Sequence, residues 1–266
     1  MKSICTAIIL FALTGAVVAQ EVDNGPVERY RHNGTIYLRQ TMRDGKVHGV
    51  RTTYYENGQM FSRQNYDMGT PSGLYERWFS NGVLIHRVEY VDGLKTGKEV
   101  QWYSSGKQRS QVAYVKHKKQ GQFQEWFNNG ELRRQGRYEA GQKHGTWTTY
   151  HRNGQEHEKV VFQDGRRQGV GRNWDDRGRL QTEITYHNDQ QHGQYTRYFS
   201  NGQIRSQGEM FQGKKQGAWF DYYLSGQKRR QHNYDRGRFE SQRYWTADGV
   251  ESDTAPVVPA PVLRRG

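Results

Sequence analysis

The residues that could do chemistry are present, but their spacing follows a repeat and not a site. Ten histidines invite a metal reading. Yet His48, His144 and His192 share one position, immediately before a glycine, which elsewhere holds Ser72, Thr96, Gln120, Gln168 and Gln216. That is a polar loop slot. His151 and His157, or His187 and His192, lie too far apart in sequence to match the usual ligand patterns. Asp44, Asp92 and Asp164 precede glycines, where Asp favours turn geometry. Asp175 stands in a column where most repeats carry an aromatic residue, and Asp175-Asp176 reads as a degenerate repeat. The glycines do not open a helix, so no phosphate cradle is expected. Asn33-Gly34-Thr35 is a formal glycosylation sequon that coincides with a repeat turn. The only cysteine, Cys5, lies in the leader described below, which excludes disulfides and thiolate chemistry from the rest. No catalytic residue, metal or cofactor is expected.

The elements that hold these residues follow from a period. Glycine stands at 25, 49, 73, 97, 121, 145, 169, 193 and 217, always 24 apart. A second series runs Gly34, Gly58, Gly82, Gly106, Gly130, Gly154, Gly178, Gly202 and Gly226, ending at Gly249 one residue early. A third holds Gly45, Gly69, Gly93, Gly141, Gly165, Gly213 and Gly237, with His117 and Asp189 substituting. Asn precedes the second series at 33, 57, 81, 129, 153 and 201. Asn-Gly between alternating segments predicts a hairpin with a type I′ turn, positive φ at both central residues. On that reading Arg177, before Gly178, costs its turn some stability.

Aromatic columns share the period. Five residues past the first glycine come Tyr54, Trp78, Trp102, Trp126, Tyr150, Trp174, Tyr198 and Tyr222. The next position holds Tyr55, Phe79, Tyr103, Phe127, Phe199 and Tyr223, and the second strand repeats Tyr66, Tyr90, Tyr114, Tyr138, Phe162, Tyr186 and Tyr234. One hairpin is marginal alone, whereas stacked hairpins build aromatic ladders along an antiparallel sheet. The fold class is therefore all-β, an elongated single sheet of tandem hairpins. About nine units at ~4.8 Å per strand give roughly 85–90 Å.

These residues resemble the MORN repeat. Asp44-Gly45 through Tyr54, Tyr55, Asn57 and Gly58 carry the likeness, as do Asp164-Gly165 through Gly169. The pattern is closer to the bacterial variant found in YwqK-type antitoxin proteins. The resemblance covers residues 25 to about 250. It implies a protein-interaction scaffold or a link to membrane lipids, and its antitoxin branch implies neutralisation of a partner.

The rest of the chain divides simply. Residues 1–19 read as a secretory signal, with Lys2 before an apolar run and small residues Val17 and Ala19 at the cut. Export to the periplasm, envelope or medium is expected, with the mature chain starting at Gln20. Residues 20–24 form a short lead, 25–250 the array, and 251–266 a Pro-rich flexible tail. The net charge of +13 is spread along the chain without a recognition motif. It favours acidic surfaces in general and does not specify nucleic acid.

A protein partner is therefore the leading reading, and an anionic membrane surface or polysaccharide the alternative. Consecutive aromatics point to opposite faces of a strand, so one column is left open for a ligand. The densest stretch places Phe79, Tyr103 and Phe127 near Lys95, Lys98, Lys116, Lys118 and Lys119. That is the expected docking region, where Ser in place of the three aromatics impairs binding and leaves the fold largely intact.

Overall fold

The computed structural model describes residues 23–255. The expected signal, residues 1–19, and residues 256–266 of the expected tail lie outside the described residues. The chain is all-β, with 21 strands between Gly25 and Ser252 and no helix among the described residues. It divides into two units. The first runs to Leu132 and adds Tyr138–Gly141, and the second comprises Arg133–Arg137 and the residues from Gln142 on. Within each unit, consecutive strands pair antiparallel into an open sheet. The short strand Glu251–Ser252 pairs with Tyr244 and Trp245, so pairing reaches two residues into the segment read as tail.

Two kinds of turn alternate, and they are the reverse of the sequence expectation. The Asn-Gly loops are not type I′. In Tyr55–Gln59 the Tyr55 N–H donates to the Gln59 carbonyl at 2.8 Å and the Gly58 N–H to the Tyr55 carbonyl at 3.1 Å. Gly58 has φ +81° while Asn57 is not among the positive-φ residues. This is a type I turn closed by a left-handed glycine. Asn is favoured for its amide. In Asn57 the Oδ1 accepts the Gln59 N–H, and the Nδ2 donates to the Ser80 carbonyl of the next loop at 3.0 Å.

Arg177 therefore needs no positive φ, and the strain expected there is absent. Its turn is closed by Asp175, whose Oδ1 accepts the N–H groups of Arg177 and Arg179 at 3.0 and 2.9 Å. The Asp175 departure is thus structural compensation for the missing Asn.

The type I′ turns lie at the third glycine series, at the other end of the strands. Asp164 and Gly165 have φ of 50° and 80°. Lys116-His117 and Asn188-Asp189 hold both positive-φ places without glycine. Successive turns are laddered by main chain: Gly69 N–H donates to the Val47 carbonyl, and His117 N–H to the Lys95 carbonyl.

The first glycine series sits in β-bulges. Strand Thr70–Trp78 pairs Ser72 with Asn65 and then Tyr75 with Gln64, leaving Gly73, at φ +62°, and Leu74 extra. On its other side the same strand pairs in step, Gly73 with Tyr90 and Tyr75 with Val88.

Alternation then assigns two faces. The front face carries the column of Tyr66, Tyr90 and Tyr114, together with the position two past the bulge glycine. Phe123, Trp147 and Trp219 occupy that second position, and all are buried. Val88, fully buried, faces Tyr75 across its strand pair. The rear face carries Trp78 and Trp102 toward the Asn-Gly loops. A one-layer sheet thus hides its core beneath its own large side chains.

Candidate functional site

The expected docking residues all lie in the first unit, but the structure does not bring them together. Phe79, Tyr103 and Phe127 line up at the Asn-Gly loops and are half-buried. The Tyr103 hydroxyl donates to the Trp126 carbonyl of the next repeat at 2.7 Å, as Tyr55 does to Trp78 at 2.8 Å. The lysines lie at the opposite, type I′ end. From Lys95 to Tyr103 the chain runs the length of strand Leu94–Trp102, roughly 25 Å.

The lysines are themselves divided between faces. Lys95 and Lys119 are on the front and half-buried. The Lys95 ammonium is 5.2 Å from the Tyr114 ring centroid, and that of Lys119 is 5.0 Å from Tyr138. The same slot in the second unit holds Lys143, Arg167 and Lys215, 4.6, 4.3 and 4.4 Å from Trp147, Tyr186 and Trp219. Cation–π contact at a partly desolvated site is worth about 1–2 kcal/mol. Burial, then the nearby Arg134 charge, pulls the Lys143 pKa down. The column two residues before the bulge glycine is thus part of the core. It was readable as a basic position in the period.

Lys98 and Lys118 are on the rear face and exposed, and Lys116 is exposed in its turn. Between them lies what the aromatic columns drew attention away from. Leu74, Val91, Leu94 and Val115 point to the rear at the type I′ edge and are 42–57% exposed. Val91 and Leu94 are directly paired across the turn, and Val115 is paired with Lys118. Four aliphatic side chains thus cluster with lysines at the margin. Neighbouring slots of this period hold Asp67 and Glu139, so the cluster is local.

The front face holds a buried polar cluster around Glu99. Glu99 occupies the slot of Tyr75 and Phe123, and its side chain is 8% exposed. Its Oε1 accepts from Lys95 Nζ at 2.6 Å and lies 2.7 Å from His86 Nε2. Burial alone raises the carboxyl pKa, but the His86 and Lys95 hydrogen bonds outweigh it and bring it down to about 2. Burial and the Glu99 charge push the Tyr114 hydroxyl up. Such a carboxylate stays ionised at neutral pH and is held by its partners, which is the chemistry of an internal ion pair. Glu99, like Asp175, puts a titratable group where other repeats carry a ring. The exchange of an aromatic for Glu99 was the signal.

The histidine pairs are brought close by the fold, with ring centroids 4.5 Å apart for His151 and His157 and 6.0 Å for His187 and His192. His151 Nε2 is engaged with the Trp174 carbonyl at 2.9 Å. Among the described residues no group of three or more His, Cys, Asp or Glu is placed to hold a metal ion.

The architecture defines a tandem β-hairpin repeat protein. Four segments, residues 47–68, 119–140, 143–164 and 191–211, match the family model for the MORN repeat variant. At these repeats the chain is similar to that family. Each matched segment begins at or next to the residue just after a type I′ turn and runs through one Asn-Gly loop, which is the structural unit. No curated protein matches the sequence. Crystal structures described as TcdB2-TccC3, TcdB2-TccC3-Cdc42 and TcdB2-TccC3-TEV are similar over 83–85% of this chain at 11–16% identity. Their TM-scores are 0.20–0.21, and the chain spans 14–15% of their length, so the likeness carries no argument.

Proposed function

We propose that this chain is a non-catalytic, exported scaffold that binds a protein partner on the rear face of its first unit. The observation behind this reading is the cluster of Leu74, Val91, Leu94 and Val115, exposed on a chain otherwise poor in aliphatics. Exposed contiguous apolar surface with a polar margin is the anatomy of a protein-docking site. Lys98, Lys116 and Lys118 around it suit an acidic rim on the partner. The MORN repeat variant match supports a binding or scaffold role. The finer form of the proposal is an immunity-type or antitoxin protein of the envelope, which neutralises what it binds.

Affinity capture from native extract tests it, with the mature chain and a Val91→Asp, Val115→Asp variant as bait. The expected result is a protein retained at about 0.5 M salt by the first and lost by the second, because apolar contact resists screening. Retention by both alike places the contact elsewhere. Capture abolished by salt alone favours the alternative, an anionic lipid or polysaccharide surface.

A further inference from the structure

One repeat departs from the front-face core in a way that opens space. The position two past the bulge glycine holds Tyr75, Phe123, Trp147, Tyr195 and Trp219, but Glu99, Gly171 and, in the repeat that begins at Gly49, Arg51. Arg51 is half-buried, and its guanidinium makes no hydrogen bond or ion pair with any described residue. Its neighbour Arg31 shows the contrast, since it donates to the carbonyls of Ile36, Tyr54 and Tyr55 and is spent on the fold. Beside Arg51 lies a shallow hollow of about 360 Å³ within the first unit, walled by Phe61, Tyr66 and Tyr75. Thr53 and Ser62, whose hydroxyls bond one another, lie in its lining.

We propose that this hollow binds a carboxylate-bearing sugar, a hexuronic acid residue. The planar fork of Arg51 offers a carboxylate two parallel N–H donors, a match that a point charge does not give. The aromatic walls offer apolar surface to the C–H side of a pyranose ring. The Thr53 and Ser62 hydroxyls both donate and accept, as sugar hydroxyls require. The volume suits one ring. Inorganic phosphate would use Arg51 and waste the walls. A neutral hexose would use the walls and leave the guanidinium unpaired. This site is on the opposite face from the aliphatic cluster and does not depend on it.

The test is calorimetric or saturation-transfer titration of the full chain with glucuronic acid, glucose and inorganic phosphate. Glucuronic acid is expected to bind at least about tenfold more tightly than either of the others. Equal affinity for phosphate would show a simple anion site, and equal affinity for glucose a simple stacking site, and either overturns the proposal. Arg51→Tyr restores the ring that other repeats carry, so it is expected to fold, hold or raise the melting temperature, and lose glucuronic acid binding. Binding that survives in R51Y overturns the assignment. Arg51→Lys supplies the second reading should R51Y not fold. Loss of about tenfold supports the bidentate fork, and unchanged affinity overturns it.

Discussion

Gly136 and Trp147 are a matched pair on the front face. A Cβ built on Gly136 would lie inside the Trp147 indole, whose Nε1 donates to the Arg137 carbonyl at 3.2 Å. Gly208 and Trp219 repeat the arrangement, with Trp219 Nε1 donating to the Glu209 carbonyl at 3.1 Å. Where the ring is the smaller Phe123 or Tyr195, the residue facing it from the preceding strand is Val112 or Ile184. Large and small alternate so that each pair fills the same space.

Gly136→Val is therefore expected to cost about 3 kcal/mol or more, since the indole must leave its place and its hydrogen bond. Adding Trp147→Phe copies the Val112–Phe123 combination and should recover most of the loss. Chemical denaturation of the two single variants and the double variant measures the coupling. Additive losses would show that the pair does not act as one packing unit.

A gain is expected at Lys116. It holds φ +46° beside His117 at +69°, in a type I′ turn without glycine. Left-handed backbone costs a residue with a long side chain about 1 kcal/mol, and Asn bears it better. His117 is best left alone, because its Nδ1 accepts the Lys95 N–H at 3.2 Å. Lys116→Asn is expected to raise stability by about 0.5–1 kcal/mol, read as a higher denaturation midpoint at unchanged slope. An unchanged or lower midpoint counts against this account of the turn.

Glu99 predicts how the first unit answers to acid. Its folded-state pKa is depressed from 4.5 to about 2 by His86 and Lys95 acting against burial. The stabilisation is thus complete above about pH 4.5 and is lost as the pH falls through about 2. Glu99→Gln is expected to cost about 2–3 kcal/mol at pH 7, and the difference from wild type should shrink as the pH falls toward 2. A difference that stays constant from pH 7 to 2 would rule this carboxylate out as the acid-sensitive group.

The period made the fold legible, because glycines 24 apart have few other meanings. Turn type was less legible. Asn-Gly satisfies both a type I′ turn and a type I turn closed by glycine, and the residues before the third glycine series, such as Met68 and Gln212, gave no hint of positive φ. The site was less legible still. Aromatics at consecutive positions suggested a spare column, yet Tyr55 and Tyr103 use their hydroxyls to bridge repeats. The informative column was the one two past the bulge glycine, where Arg51 and Glu99 replace rings. Reading it requires knowing which residues share a face, and the bulge and the turns set that.

The aromatic column at the Asn-Gly loops yields the last prediction. The Tyr103 hydroxyl reaches the Trp126 carbonyl, and Tyr223 reaches Trp245 in the same way at 2.9 Å. Even a histidine in this slot, His151, lies within hydrogen-bond distance of the corresponding carbonyl, that of Trp174. Where the column holds one of these tyrosines or His151, it ties its loop to the next. In a nearest-neighbour array, stability is the sum of such interface contributions. Tyr103→Phe keeps the ring and removes one bond, so it is expected to cost about 1 kcal/mol. Ser at Phe79, Tyr103 and Phe127 together removes three half-buried rings, with an expected loss of several kcal/mol. Thermal unfolding followed by circular dichroism separates the two roles. A triple variant that melts with the wild type would return these positions to the pool of binding residues, and one that melts well below it assigns them to the fold.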